Sequence, residues 1–331
     1  MTSCPWRIRR AGNSARRPTA KTQTAMHDVP QPLRLICLAY VLVAAGVSIA
    51  LTSLAANADG RPAAGPPGRI VSMNLCTDQL ALLVAAPEQI HSLSYISRDP
   101  ASSPLAEEAR RYPPNHGLAE EIFLMRPDLV LAGAYTRRET TNMLIRLGFR
   151  VESFAPATSF DDIRANIRRL GHLLGREEHA SHLLAAFDRA RNRRRAATQA
   201  DPGAPPPLAA LYYANSHTSG RSTLASDILA HARLENLATS LGLGGIVRLP
   251  LELIVFSAPD LLITGDAGHH PTARAGAALQ HPALRANRGQ IVAMDNRWSC
   301  GTPAVLDIVR ELEDVVMEKT RPERPATPSK G

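Results

Sequence analysis

Aromatic residues are scarce in this 331-residue chain: two Trp, six Tyr and six Phe amount to 4% of it. Only four cysteines occur, with no CxxC pair and no Cys/His spacing suited to zinc, which excludes the common structural zinc modules. GxSxG, HExxH and a phosphate-binding glycine loop are all absent, removing the usual hydrolase, zinc-peptidase and nucleotide-binding signatures. No spaced set of histidines follows residue 68, so a receptor for a bare zinc or manganese ion is disfavoured. Charge of one sign is also missing from the body of the chain. The formal net charge is +8, from 38 basic and 30 acidic residues. Residues 1–58 hold seven of the basic residues and one acid, leaving 31 against 29. The basicity therefore belongs to the leader, and a nucleic-acid footprint is not expected.

What is present is a globular composition, 44% hydrophobic and 21% charged, long enough for two cores. The leader reads as an export signal over residues 1–58. An uncharged run from Leu35 to Leu54 follows Arg34 and ends in Ala56-Asn57-Ala58, a small-x-small exit that predicts cleavage after Ala58. Initiation at Met26 would give a signal of more ordinary length. A retained anchor is the alternative, since about 20 apolar residues span a bilayer. Cys76 and Cys300 remain beyond the leader. Export permits a disulfide between them; metal ligation and buried, unpaired thiols are the other readings, with the thiols slightly ahead.

Residues 59–68 form a Pro/Gly/Ala linker. Short apolar strands then alternate with helices over 69–174, the pattern of parallel α/β layering. Strands are expected at Arg69–Met73, Ile90–Tyr95, Asp128–Ala132 and Phe149–Phe154. Helices are expected at Glu120–Arg126, Thr136–Leu147 and Phe160–Leu174, the last with Ile163, Ile167, Leu170 and Leu174 on one face. Arg176–Thr198 predicts one long helix, roughly 33 Å at 1.5 Å per residue. Within the stretch 175–199, it is suited to tie two lobes together. A second α/β unit covers 200–319, with strands at Leu208–Tyr213, Leu261–Thr264 and Gln290–Met294. Helices are expected at Ser222–Ala230, Pro271–Leu279 and Pro303–Lys319. The tail 320–331, with three prolines, is expected to be disordered.

The two units share a written repeat. Leu118-x-Glu120-x-Ile122 precedes Pro127-Asp128-Leu129, and Pro250-x-Glu252-x-Ile254 precedes Pro259-Asp260-Leu261, at a constant offset of 132. In each copy the glutamate stands seven residues before the proline. The fold class expected is α/β: two Rossmann-like lobes joined by a single long helix, with a ligand cleft between them.

In such lobes ligands sit at the loops beyond the carboxyl ends of the strands. Those loops hold Asn74, Cys76 and Thr77; Tyr95 and Arg98; Tyr135 and Arg137; Tyr213, Asn215 and Arg221; and Arg297 and Trp298. A tyrosine or tryptophan in most of these loops suits a large flat ligand, and the arginines suit an anionic chelate. Each tyrosine alone is better explained as a half-buried edge residue; as a set they favour a cleft. His269-His270 reads as a solvated loop pair rather than a metal site.

The stretches RIVSMNLCTDQL, LAEEIFLMRPDLVLAG, TSGRST, LPLELIVFSAPDLLITG and NRWSCGTPAVLD, with the helix before Ala200, resemble the helix-linked class of periplasmic substrate-binding proteins over residues 69–318. These serve ABC importers of iron–siderophore complexes, haem and vitamin B12. The resemblance implies a non-enzymatic periplasmic monomer that binds a metal chelate and needs no cofactor of its own. It favours a siderophore, with a corrinoid or haem as alternatives. It further implies that Glu120 and Glu252 dock, one per lobe, onto arginines of the permease dimer. An early-helix acid favoured by the helix dipole is the competing reading of each glutamate.

Overall fold

The computed structural model describes residues 65–197, 205–265, 281–285 and 289–320. The leader with its cleavage site, His269, His270, the helix expected at Pro271–Leu279 and the tail beyond residue 320 lie outside these residues.

The first half is built on a five-stranded, wholly parallel sheet. In chain order its elements are β1 (Ile70–Ser72), α1 (Leu75–Val84), β2 (Ile90–Ser94), α2 (Ala106–Ala109), β3 (Pro114–Asn115), α3 (Ala119–Met125), β4 (Leu129–Gly133), α4 (Arg138–Arg146) and β5 (Val151–Phe154). The sheet order is β3-β2-β1-β4-β5. Ile70, Val71 and Leu129 to Ala132 are fully buried, so β1 and β4 are covered on both faces. That is why they read as unbroken apolar runs and not as alternating ones.

Two helices follow, α5 (Phe160–Leu174) and α6 (Glu177–Ala197). The Ser159 hydroxyl caps α5 by accepting from the Asp162 N–H at 3.1 Å, and Gly175 ends it in the left-handed region at φ 65°. The predicted face of Ile163, Ile167, Leu170 and Leu174 is wholly buried. A Cβ at Gly171 would lie 2.5 Å from the Ala180 Cβ, so the missing side chain lets α6 approach α5 closely. The long helix is therefore not a bare strut. Ala180, Leu184 and Phe187 are buried in one continuous apolar cluster that runs from Ile70 in the first half to Leu312 in the second.

The second half comprises β6 (Leu208–Tyr212), β7 (His217–Ser219), α7 (Leu224–His231), β8 (Glu235–Asn236), α8 (Leu237–Ser240), β9 (Ile246–Arg248), α9 (Leu251–Ser257), β10 (Leu261–Thr264), α10 (Pro282–Arg285), β11 (Gln290–Ala293) and α11 (Val305–Thr320). Its main sheet is also parallel, in the order β11-β10-β6-β8. Strands β7 and β9 form a separate antiparallel ribbon beyond the end of β6. This ribbon has no counterpart in the sequence reading, because three-residue strands leave too little alternation to detect.

The sequence repeat has a structural basis. Helices α3 and α9 are each seven residues long and end on left-handed residues, Arg126 at φ 47° and Ala258 at φ 44°. Pro127 and Pro259 bar the helical conformation to the residue before them, which forces the stop. Ile122 and Ile254 are fully buried beneath each helix. The Asp128 carboxylate accepts from the Gly68 N–H, and the Asp260 carboxylate from the Leu208 N–H, each at 3.0 Å. Each aspartate thus clasps the start of the adjoining central strand.

The halves are joined by more than α6. The Phe160 ring stacks on the His231 imidazole at 3.9 Å, and the Phe160 N–H donates to the Asp227 carboxylate at 2.7 Å. Cys76 and Cys300 form a disulfide with their Cα atoms 5.1 Å apart. The preference for unpaired thiols is thereby corrected: both cysteines face each other at the junction, a proximity that a 224-residue separation conceals in the sequence.

Candidate functional site

Each strand-end loop is held by its own local chemistry. Beyond β1, Asn74 is extended and its side-chain oxygen accepts from the Cys76 N–H at 3.0 Å, starting α1. Gly133, at the end of β4, is required by that cap: a Cβ there would meet the Asn74 amide at 2.8 Å. The Thr77 hydroxyl donates to the Asn74 carbonyl at 2.9 Å and lies 2.7 Å from the Ser72 hydroxyl. Directly behind it, the fully buried Asp78 carboxylate accepts from the Ser94 N–H at 3.2 Å and from the Ser94 hydroxyl. Burial pushes its pKa up from 3.8 to about 7, against the opposing pull of those serine hydrogen bonds. Asp78 therefore pins the end of β2 to the helix that carries Cys76.

Beyond β6, the half-buried Tyr213 donates its hydroxyl to the Ser219 oxygen at 3.1 Å, and burial raises its pKa. Beyond β11, Asp295 accepts from the Arg297 N–H at 2.9 Å and starts the short turn Asn296–Trp298. The same carboxylate accepts from Arg297 Nε at 2.7 Å. The guanidinium also donates to both Glu311 oxygens, at 2.8 and 2.6 Å. These carboxylate contacts raise the arginine pKa further. Arg297 thus braces the turn against α11 and leaves Trp298 facing the cleft.

Between the halves lies an open cavity of about 820 Å³. Three of the aromatic residues expected there, Tyr135, Tyr213 and Trp298, line it together. A smaller cavity of about 250 Å³ adjoins it at Asn74, Cys76 and Thr77, with Tyr135 common to both. Cys76 is committed to its disulfide, so it offers no thiolate to a ligand. The other expected residues stand elsewhere. Tyr95 is 57% exposed and stacks on His116 at 5.1 Å. Arg98, Arg137, Asn215 and Arg221 line neither cavity, and the Arg221 guanidinium donates to the Gly242 carbonyl at 2.9 Å. Ser222, Thr223, Met294 and Asn296 do line the large cavity and were not expected as ligand contacts. Their position after strand ends was the available signal; their small polar or apolar side chains gave no chemical one.

Glu120 and Glu252 are exposed in the first turns of α3 and α9. Among the described residues neither makes a side-chain hydrogen bond or ion pair. The neighbouring Glu121 is engaged: it accepts from the His116 N–H at 2.7 Å. Of the repeated residues, Ile, Pro, Asp and Leu are tied to the fold by packing, the helix stop or a hydrogen bond, whereas each glutamate, in a helix's first turn, meets only the helix dipole. Among the described residues, no three His, Cys, Asp or Glu side chains converge to hold a metal ion, and no helix is long and apolar enough to cross a membrane.

The fold is shared with solved structures. A periplasmic haem-binding protein from Pseudomonas aeruginosa matches with a TM-score of 0.64 and 20% identity, over 78% of this chain and 95% of its own. A periplasmic vitamin B12-binding protein of Vibrio cholerae matches at 0.56 and 19%, over 77% and 99%. A protein of an ABC-type Fe3+-hydroxamate transport system from Saccharomonospora viridis matches at 0.57 and 20%, over 76% and 94%. At these identities the likeness is one of fold. No curated protein matches the chain in sequence. Residues 70–288 match the model of the periplasmic binding protein family, and the chain belongs to that family.

Proposed function

We propose that the protein is the substrate-binding component of an ABC importer, exported to the periplasm as a monomer with its leader removed after Ala58. It captures a metal chelate in the cleft and delivers it to the permease dimer without transforming it. The open cleft between the halves, walled by Tyr135, Tyr213 and Trp298, is the observation that carries the reading. Its volume, about 820 Å³, falls within the usual range for a small-molecule site. An iron–siderophore is the leading ligand class, with a corrinoid or haem as alternatives. The solved structures that share the fold include haem-, vitamin B12- and hydroxamate-related proteins. No catalytic residue, resident cofactor or nucleic-acid contact belongs to this reading.

Glu120 and Glu252 are the proposed docking residues, one on each half. Their duplication suits a two-fold permease, and charges at a transient interface set register and on-rate more than affinity. The test is Glu120→Ala combined with Glu252→Ala. Uptake in cells should be lost while the tryptophan fluorescence response of the purified protein to its chelate is unchanged. Loss of binding in the double variant, or uptake at the wild-type rate, would remove the docking assignment.

A further inference from the structure

The charged groups near the cleft indicate which chelates it accepts. Of the arginines expected to serve an anionic ligand, Arg297 is held between Asp295 and Glu311, and Arg221 is turned to the Gly242 carbonyl. Arg98 and Arg137 are not among the residues that line either cavity. Among the described residues lining the large cavity, the only formally charged side chain is Asp295, an acid. One guanidinium shared by two carboxylates leaves that corner net negative. The rest of the wall is aromatic, aliphatic or hydroxyl-bearing: Tyr135, Tyr213, Trp298, Met294, Ser222 and Thr223.

Such a wall treats ligand charges unequally. Where the described residues of the wall offer no cation, an anion that leaves water finds nothing to offset its desolvation, and a nearby carboxylate adds repulsion. A neutral chelate does not incur that penalty, and its flat or apolar face can lie on the aromatic rings. A cationic chelate gains further from the ring faces and from Asp295. We infer that the cleft selects an electrically neutral or cationic metal chelate over anionic catecholate- or carboxylate-rich ones. This rests on the reading of the protein as a chelate receptor.

The test is fluorescence titration of the full mature chain at one ionic strength with four probes: ferrichrome and cyanocobalamin, both neutral, and ferric enterobactin and haemin, both anionic. At least one neutral probe should bind about tenfold or more tightly than either anionic one, a difference of about 1.4 kcal/mol. A second arm adds the missing cation at an exposed lining position, Ala101→Arg. This should shift the ratio of ferric enterobactin affinity to neutral-probe affinity about tenfold towards the anion. Equal or tighter binding of the anionic probes by the wild type, or no such shift in the variant, overturns the charge inference while the receptor reading stands. Silence from all four probes in both proteins overturns the receptor reading, and this inference with it.

Discussion

Removing the disulfide separates two roles that it could play. Cys76 lies in the first turn of α1, and Cys300 lies between the Asn296–Trp298 turn and α11. The bond closes a loop of 224 residues in the unfolded chain. On the chain-entropy model, a loop that long contributes about 5 kcal/mol at 25 °C, at the top of the range such bonds deliver. Native domains are stable by only about 5–15 kcal/mol, so this would be a large share. In the native state the contribution to lobe spacing should be small. The core is continuous across both halves, and the Phe160–His231 stack and the Phe160–Asp227 hydrogen bond persist without the sulfurs. Cys76→Ala with Cys300→Ala should therefore lower the urea midpoint by about 1.7 M, taking a slope of about 3 kcal/mol per M. A reductant should produce the same shift in the wild type and none in the variant. The radius of gyration by small-angle scattering, and the affinity for the bound chelate, should not change. A stability loss under about 1 kcal/mol would refute the loop-entropy argument. An expanded particle with weakened ligand binding would show instead that the bond holds the halves together in the folded state.

Two further outcomes follow from the packing. Asp78 has its pKa raised from 3.8 to about 7, so the folded state keeps the proton that the unfolded chain releases. Stability should fall as pH rises from about 4 to about 7 and level off above, by at most about 4 kcal/mol from this group. Asp78→Asn should flatten that part of the profile in urea unfolding at pH 5 and pH 8; an unchanged slope would place the titration elsewhere. Gly301 faces Ala157 and Ile163 of the first half, where an added Cβ would lie 2.3 Å from the Ala157 Cβ. Gly301→Ala should cost about 1–3 kcal/mol by overpacking and disturb Trp298 emission, whereas a silent variant would mean that the junction yields easily.

Much of the backbone was legible because burial on both faces writes long apolar runs into the chain. Leu261–Thr264 and Phe160–Leu174 have the bounds expected of them. The offset of 132 was legible for a different reason: a buried isoleucine, a helix-stopping proline and a strand-clasping aspartate must stand at fixed spacing wherever that unit is built. The β7–β9 ribbon and the two-residue strands β3 and β8 were not, since they are too short for any period to show.

The sequence alone determined the α/β alternation, the duplication, and the placing of aromatic residues after strand ends, because each depends on near neighbours along the chain. Tertiary structure decided where the charges and sulfurs go. Arg297 looked like a cleft cation until Glu311, fourteen residues on, was seen to take its guanidinium. Asp78 is completely buried, with the N–H and hydroxyl of Ser94 on the neighbouring strand as partners. Cys76 and Cys300 looked isolated, and the fold brings their Cα atoms to 5.1 Å. A long side chain can swing, and a distant segment can supply its partner. The direction of a charge is therefore set by contacts across the fold, which spacing along one chain does not record.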